Sequence, residues 1–177
     1  MKTLQDQFDY YSALPQQSCD IGEHLQYMHD LAVSINAQTI VELGPARGIS
    51  TCAWLLAAEK TGGHVWSCDI LEQDIFPEVA AHPQWTYVVA NDLDVVEQCP
   101  RPIDVLFIDS EHTYEQTLAE LRDYAPLVSS GGYVVMHDTV IWNALVEPAI
   151  REYAAEHPFA SERWFFHCNG LFVAQTL

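Results

Sequence analysis

Basic residues are scarce in this chain. Among its 177 residues only seven are Lys or Arg, against 25 Asp or Glu, for a formal charge of −18. Such a field repels phosphate backbones and anionic headgroups, which argues against nucleic acid and lipid surfaces as partners. Long apolar runs are missing as well. No stretch approaches the roughly 18 apolar residues that a membrane span needs. The first residues, Met1 to Phe8, carry Lys2 and Asp6 rather than a signal core. The five cysteines, Cys19, Cys52, Cys68, Cys99 and Cys168, are odd in number, widely spaced and form no C-x-x-C pair. That pattern speaks against a zinc knuckle or a dithiol redox centre. Internal repeats and low-complexity linkers are absent. The expectation is a cytoplasmic protein with reduced thiols, its acids mainly conferring solubility.

What is present is a globular composition, 49% hydrophobic and 18% charged, in a length that suits one α/β domain. Short apolar runs rich in β-branched and aromatic residues alternate with longer helical patterns. The runs are Thr39–Leu43 before Gly44, His64–Cys68 before Asp69, Trp85–Val89 before Ala90-Asn91-Asp92, Ile103–Ile108 before Asp109, and Tyr133–Met136 before His137-Asp138. Alternation of this kind predicts βαβ units and a parallel sheet. Helices are expected over Ile21–Ile35, over Ser50–Lys60 up to Thr61-Gly62-Gly63, and after Thr113-x-x-Gln116, which has capping-box form. A further helix is expected over Ile141–Glu156, with Pro148 as a kink or break. Near the end, Arg163–His167 and Leu171–Ala174 flank Cys168-Asn169-Gly170, a hairpin signal. The expected architecture is a doubly wound, mostly parallel sheet with a terminal antiparallel hairpin. Residues 1–38 form a helical cover, 39–139 a binding core, and 140–177 a helix plus the hairpin.

Right-handed crossovers gather every strand-to-helix loop on one sheet edge, where ligands bind near the switch in strand order. The acidic strand endings all fall on that edge. The sharpest motif is Val41-Glu42-Leu43-Gly44-Pro45-Ala46-Arg47-Gly48-Ile49-Ser50. Its glycines permit a tight turn and close ligand approach. A dinucleotide fingerprint needs G-x-G-x-x-G, whereas here Ala46 and Ile49 hold the second and third glycine positions.

E-L-G-P-A-R-G-I-S resembles the first motif of class I S-adenosylmethionine-dependent methyltransferases, E-x-G-x-x-x-G-x-S/T. Asp69 matches their ribose-binding acid, and Asn91-Asp92 their segment beside the adenine. Val105–Tyr114 resembles the fourth-strand motif F-I-D-G-x-H-x-Y. Gly131–Asp138 resembles the P-G-G-x-x-x-x-x-D ending, with Ser130 in place of the proline. The resemblance runs from about Thr39 to Thr139 and implies a Rossmann-like fold that binds S-adenosylmethionine. Cofactor contacts are then expected from Glu42, Gly44, Pro45, Ala46, Gly48, Ser50, Asp69, Ile70, Asn91, Asp92 and Asp109.

Several of these residues also have ordinary structural readings. Glu42 suits organising the loop, Asp69, Asn91 and Asp92 suit capping, and Arg47 suits either the cofactor carboxylate or a surface ion pair. In the small O-methyltransferase branch, acids at the fourth and fifth strand ends hold magnesium, which implies Asp109 and Asp138 as candidate ligands for Mg2+ or another divalent cation. His137 departs from the acid or amide usual at its position. His112 has an imidazole whose ordinary pKa suits a general base, so His112 and Asp109 are the candidate catalytic pair. Trp142 and Tyr10-Tyr11 are candidates for an aromatic pocket wall or for plain packing. The expected activity is methylation, most simply of oxygen on a small hydroxylated molecule, with a homodimer left open. The rival readings are an NAD(P)-dependent oxidoreductase and a catalytically silent binding module.

Overall fold

The computed structural model describes residues 2–15, 18–140 and 145–177. Seven strands form one sheet: β1 (Thr39–Leu43), β2 (His64–Asp69), β3 (Trp85–Val89), β4 (Ile103–Ile108), β5 (Val128–His137), β6 (Ser161–Phe165) and β7 (Leu171–Gln175). Their spatial order is β3-β2-β1-β4-β5-β7-β6. The first five are parallel, β7 pairs antiparallel with β5, and β6 antiparallel with β7. The order reverses between β1 and β4, so the crevice above that pair is where a doubly wound sheet binds its ligand. The parallel sheet and terminal hairpin are those expected from the sequence.

Alternation along the strands builds two cores. Ile40, Val65, Val105, Phe107 and Val135 face one side, under α1 (Leu4–Ser12), α2 (Leu25–Ser34) and α3 (Ile49–Thr61). Val41, Trp66, Leu106, Ile108, Val134 and Met136 face the other. There they meet Leu118 and Leu121 of α5 (Tyr114–Tyr124) and Ala149, Ile150 and Tyr153 of α6 (Val146–Glu156). The short α4 (Pro77–Ala80) leads into β3. α3 is buried almost throughout its first nine residues, Trp54 included, which is why its pattern is apolar all round rather than striped.

Two details differ from expectation. The helix expected over Ile141–Glu156 is described from Val146 as α6, its expected part at 141–144 lying outside the described residues, and Pro148 sits near its start rather than inside it. It lies in the first turn of α6, where backbone N–H groups have no intrahelical acceptor and a missing one costs nothing. The Thr113 cap is real, accepting from the Gln116 N–H at 3.3 Å, but the Gln116 side chain does not close the box and turns instead to Asp92 and Glu120. A complete capping box stands elsewhere, at Thr3 and Asp6, where it starts α1. Among the described residues no helix is long and apolar enough to cross a membrane.

Candidate functional site

The loop after β1 sets the geometry. Gly44 has φ +86°, and a Cβ there would lie 2.2 Å from the Asp109 carbonyl oxygen. Only glycine lets the turns after β1 and β4 pass so closely. Gly48, at φ +94°, begins α3. Beneath the loop, Glu42 is fully buried and accepts hydrogen bonds from Ser50 (2.6 Å), Thr51 (2.8 Å) and Ser67 (2.6 Å). Burial raises its pKa against the pull of these hydroxyls. Glu42 ties the loop and α3 to the sheet and lines neither cavity described below. Gly48 lies outside both cavity walls too.

Two cavities open above the strand ends and meet at Gly44, Ala46 and Asp109. The larger, about 440 Å³, runs toward the β2 and β3 ends and is walled by Asp69, Ile70, Asn91, Asp92 and Ser110. The smaller, about 360 Å³, is walled by Pro45, Ser50, His112 and Asp138, with Asp20, Ile21 and Arg47 at its sides. Asp69 does not cap a helix. Its carboxylate accepts from the Leu71 N–H at 3.0 Å and from the Gln73 amide at 3.1 Å to each oxygen. Ile70 and Leu71 are exposed and form an apolar wall beside it. Asn91 does cap the turn Asp92–Asp94, accepting from Leu93 at 3.0 Å, while still lining the cavity. Arg47 pairs with Asp74 at 3.4 Å and lies over the Phe76 ring. Tyr10 and Tyr11 pack edge to face, Tyr11 stacks on Phe76, and neither lines a cavity. Trp142 lies outside the described residues.

Beside the smaller cavity, which Asp109 and Asp138 line, Asp109, His137 and Asp138 bring ligand-type atoms within 4.8 Å of one another. His112 Nε2 sits 3.0 Å from Asp138 and 3.4 Å from Asp109. Hydrogen bonds to Asp109 and then Asp138 lift His112 to about 10. Between these two carboxylates the protonated form of His112 is favoured over the free base. Burial disfavours charge on both Asp109 and His137, yet their mutual attraction prevails, holding Asp109 at about 2 and His137 at about 9. The His137 Nε2 edge donates toward the carbonyls of Cys168 (2.9 Å) and Asp20 (3.2 Å), while Nδ1 lies 3.4 Å from Asp109 and 3.5 Å from Asp138. Its Nδ1 and Asp138 Oδ1 are buried without a hydrogen-bond partner. His137, which the sequence made the odd member of the set, is therefore aimed into it. At the far end of the larger cavity, Gln116 also lines the wall and Glu120 lies behind it. Neither stood out in the sequence, since both read as ordinary polar positions of a helix.

The model of a methyltransferase domain matches residues 41–139, more than half of the chain. An uncharacterized protein of Acanthamoeba polyphaga mimivirus is 33% identical over 64 residues. That stretch spans 35% of this chain and only 29% of the viral protein. Among solved structures, the cofactor-bound Rv0187 protein from MTB superposes with a TM-score of 0.72 at 19% identity, over 98% of this chain and 87% of its own. An O-methyltransferase from Bacillus cereus in complex with SAH gives 0.70 at 18% identity, over 98% and 90%. At these identities the superpositions establish the fold. The family match adds the motif-bearing strand ends, and on it this chain belongs to the methyltransferase domain family.

Proposed function

We propose that the protein transfers the methyl group of S-adenosylmethionine to an oxygen of a small hydroxylated molecule. One observation carries the reading: two cavities of different character join at Gly44, Ala46 and Asp109. The larger offers a carboxylate, Asp69, beside the exposed Ile70 and Leu71. Adjacent ribose hydroxyls are matched by a two-oxygen acceptor, and a nucleobase by the apolar wall. The smaller holds hydrogen-bonding and charged groups where an acceptor would meet the sulfonium methyl.

The Asp109, Asp138 and His137 donors suit a divalent cation, two carboxylate oxygens and one imidazole nitrogen with buried, unpartnered atoms facing inward. Such an ion lowers the pKa of a hydroxyl bound to it. The chain's own part is placement. Asp138 lines the smaller cavity, and His112 against its Oδ2 fixes that carboxylate. Holding the nucleophile in line with the methyl contributes about 7–11 kcal/mol in favourable cases.

The test is calorimetric titration with S-adenosylhomocysteine and, separately, NAD, followed by transfer of labelled methyl to a panel of hydroxylated acceptors with and without divalent metal. Binding of S-adenosylhomocysteine and label in an ether or ester product are expected. Binding of NAD alone would overturn the reading.

A further inference from the structure

The inner end of the larger cavity has a built arrangement that the methyl-transfer reading does not use. Glu120 of α5 has no exposed surface. Its Oε1 accepts hydrogen bonds from the Ser110 hydroxyl and from the Gln116 amide, the latter at 3.1 Å. Its Oε2 is buried and receives no hydrogen bond. Asp92, only 8% exposed, lies against it and accepts at Oδ1 from the Leu93 N–H (2.7 Å) and the same Gln116 amide (2.9 Å). Tyr124 anchors this turn by donating to the Asp92 carbonyl at 2.6 Å. Ser110, Gln116 and Asp92 all face the cavity, while Glu120 stands behind them.

Counting donors gives the arrangement a direction. Ser110 spends its proton on Glu120, and Gln116 spends its amide N–H groups on Glu120 and Asp92. What remains toward the cavity is acceptors: the Ser110 oxygen, the Gln116 carbonyl and the Asp92 carboxylate. We propose that Glu120 is a positioning residue that keeps the inner end of the cavity an acceptor surface, so that the cofactor is selected by the exocyclic amino group of a 6-aminopurine over a 6-oxopurine. This rests on the adenosyl reading of the cavity.

The requirement is that Glu120 hold a proton, since two bare carboxylates in contact would repel and displace Asp92. Burial and then the hydrogen bond to Asp92 push Glu120 up to about 9. The other titratable groups around the pair are Tyr124 on the same helix and Cys68 on β2. Burial raises Tyr124 well above its ordinary value and Cys68 to about 11, so both are neutral while Glu120 titrates. Glu120→Gln copies the protonated acid, with a donor toward Asp92 and an acceptor toward Ser110, and removes the titration.

The experiment measures Kd for S-adenosylhomocysteine and for its 6-oxo analogue, S-inosylhomocysteine, from pH 6.5 to 9.5 in the wild-type protein and E120Q. The ligand's own titration is common to both proteins and cancels in their ratio. The wild-type affinity should fall about threefold to fourfold relative to E120Q across that range, and at pH 7 both proteins should bind the 6-oxo analogue at least tenfold more weakly. A constant ratio, or equal affinity for the two purines, overturns the proposal while leaving the methyltransferase reading standing. Failure of the wild-type protein to bind S-adenosylhomocysteine at any pH overturns both. Gln116→Ala provides a second variant: it removes a cavity-facing acceptor together with the amide that bridges Glu120 and Asp92, and it should narrow the 6-amino preference at pH 7, and an undiminished preference counts against the proposal.

Discussion

A Cβ on Gly44 would lie 2.2 Å from the carbonyl oxygen of Asp109, so the turns that end β1 and β4 are locked in backbone contact at the point where the two cavities join. Because the obstruction is backbone and the φ is +86°, no rotamer change relieves it. Gly44→Ala should cost about 2–4 kcal/mol of stability, the range for overpacking combined with left-handed strain. S-Adenosylhomocysteine binding should be lost as well, because Asp109 is displaced. Urea unfolding with calorimetry checks both. A variant as stable as the wild type would mean that the two turns are not in contact.

Asp69 is the counterpart at the β2 end. Its carboxylate is already oriented by Leu71 and Gln73, so it meets a diol with little rearrangement. Hydrogen bonds to a charged acceptor contribute roughly 1.5–3 kcal/mol. Asp69→Ala should therefore weaken S-adenosylhomocysteine roughly tenfold to a hundredfold. The fold should be kept, since Asp69 lies at the cavity rim and outside both cores. Unchanged affinity in a folded variant removes Asp69 from the cofactor site.

The cluster Asp109, His137 and Asp138 makes a different prediction. If a divalent cation serves the reaction, chelation should lower turnover at least tenfold, and added Mg2+ or Mn2+ should restore it. Asp138→Ala should show the same loss without rescue and with cofactor affinity nearly unchanged, because Asp138 lines only the smaller cavity. Replacing a metal ligand or its support typically costs 10- to 100-fold. Full activity in chelator, with a large defect in Asp138→Ala, would assign the cluster to acceptor binding alone.

Much of this architecture was legible because the strands announce themselves. Ile40-Val41, Val105–Ile108 and Val134-Val135 are apolar on both faces, as strands covered by helices on each side must be. The residue after each run then falls on the binding edge, which is how the sequence alone places Gly44, Asp69, Asn91-Asp92, Asp109 and Asp138 there. Chemistry that depends on burial was not legible. His112 reads as an ordinary imidazole until Asp109 and Asp138 close on it from two different strand ends. Glu120 and Gln116 read as solvated helix positions, yet α5 turns them toward Asp92, 24 residues from Gln116 in sequence. Glu42 carries the family's first motif but points under the loop into three hydroxyls. The Thr3-x-x-Asp6 signal that starts α1 is present in the sequence, with an acid where Thr113-x-x-Gln116 has an amide, and it marks that helix start.

Glu120 gives the stability of the protein an inverted pH dependence. An acid with a raised native pKa binds its proton more tightly folded than unfolded. Between its ordinary value of 4.5 and its native value of about 9, the native state carries one more proton than the unfolded chain. Stability then falls as pH rises through that window, and no contribution remains below it, where both states are protonated. The usual carboxylate, depressed by a cation, behaves oppositely. Repulsion within a chain of charge −18 adds a slope of the same sign, so the informative quantity is the difference between wild type and Glu120→Gln. The two should have similar stability near pH 4.5. By pH 8 the variant should be more stable by several kcal/mol, up to about 5 for one proton retained over the pH units above 4.5. At roughly 2–4 °C per kcal/mol for a chain of this size, melting curves at pH 5 and pH 8 resolve it. Parallel curves for the two proteins would mean that Glu120 titrates as it does in water and that its carboxyl is not enclosed.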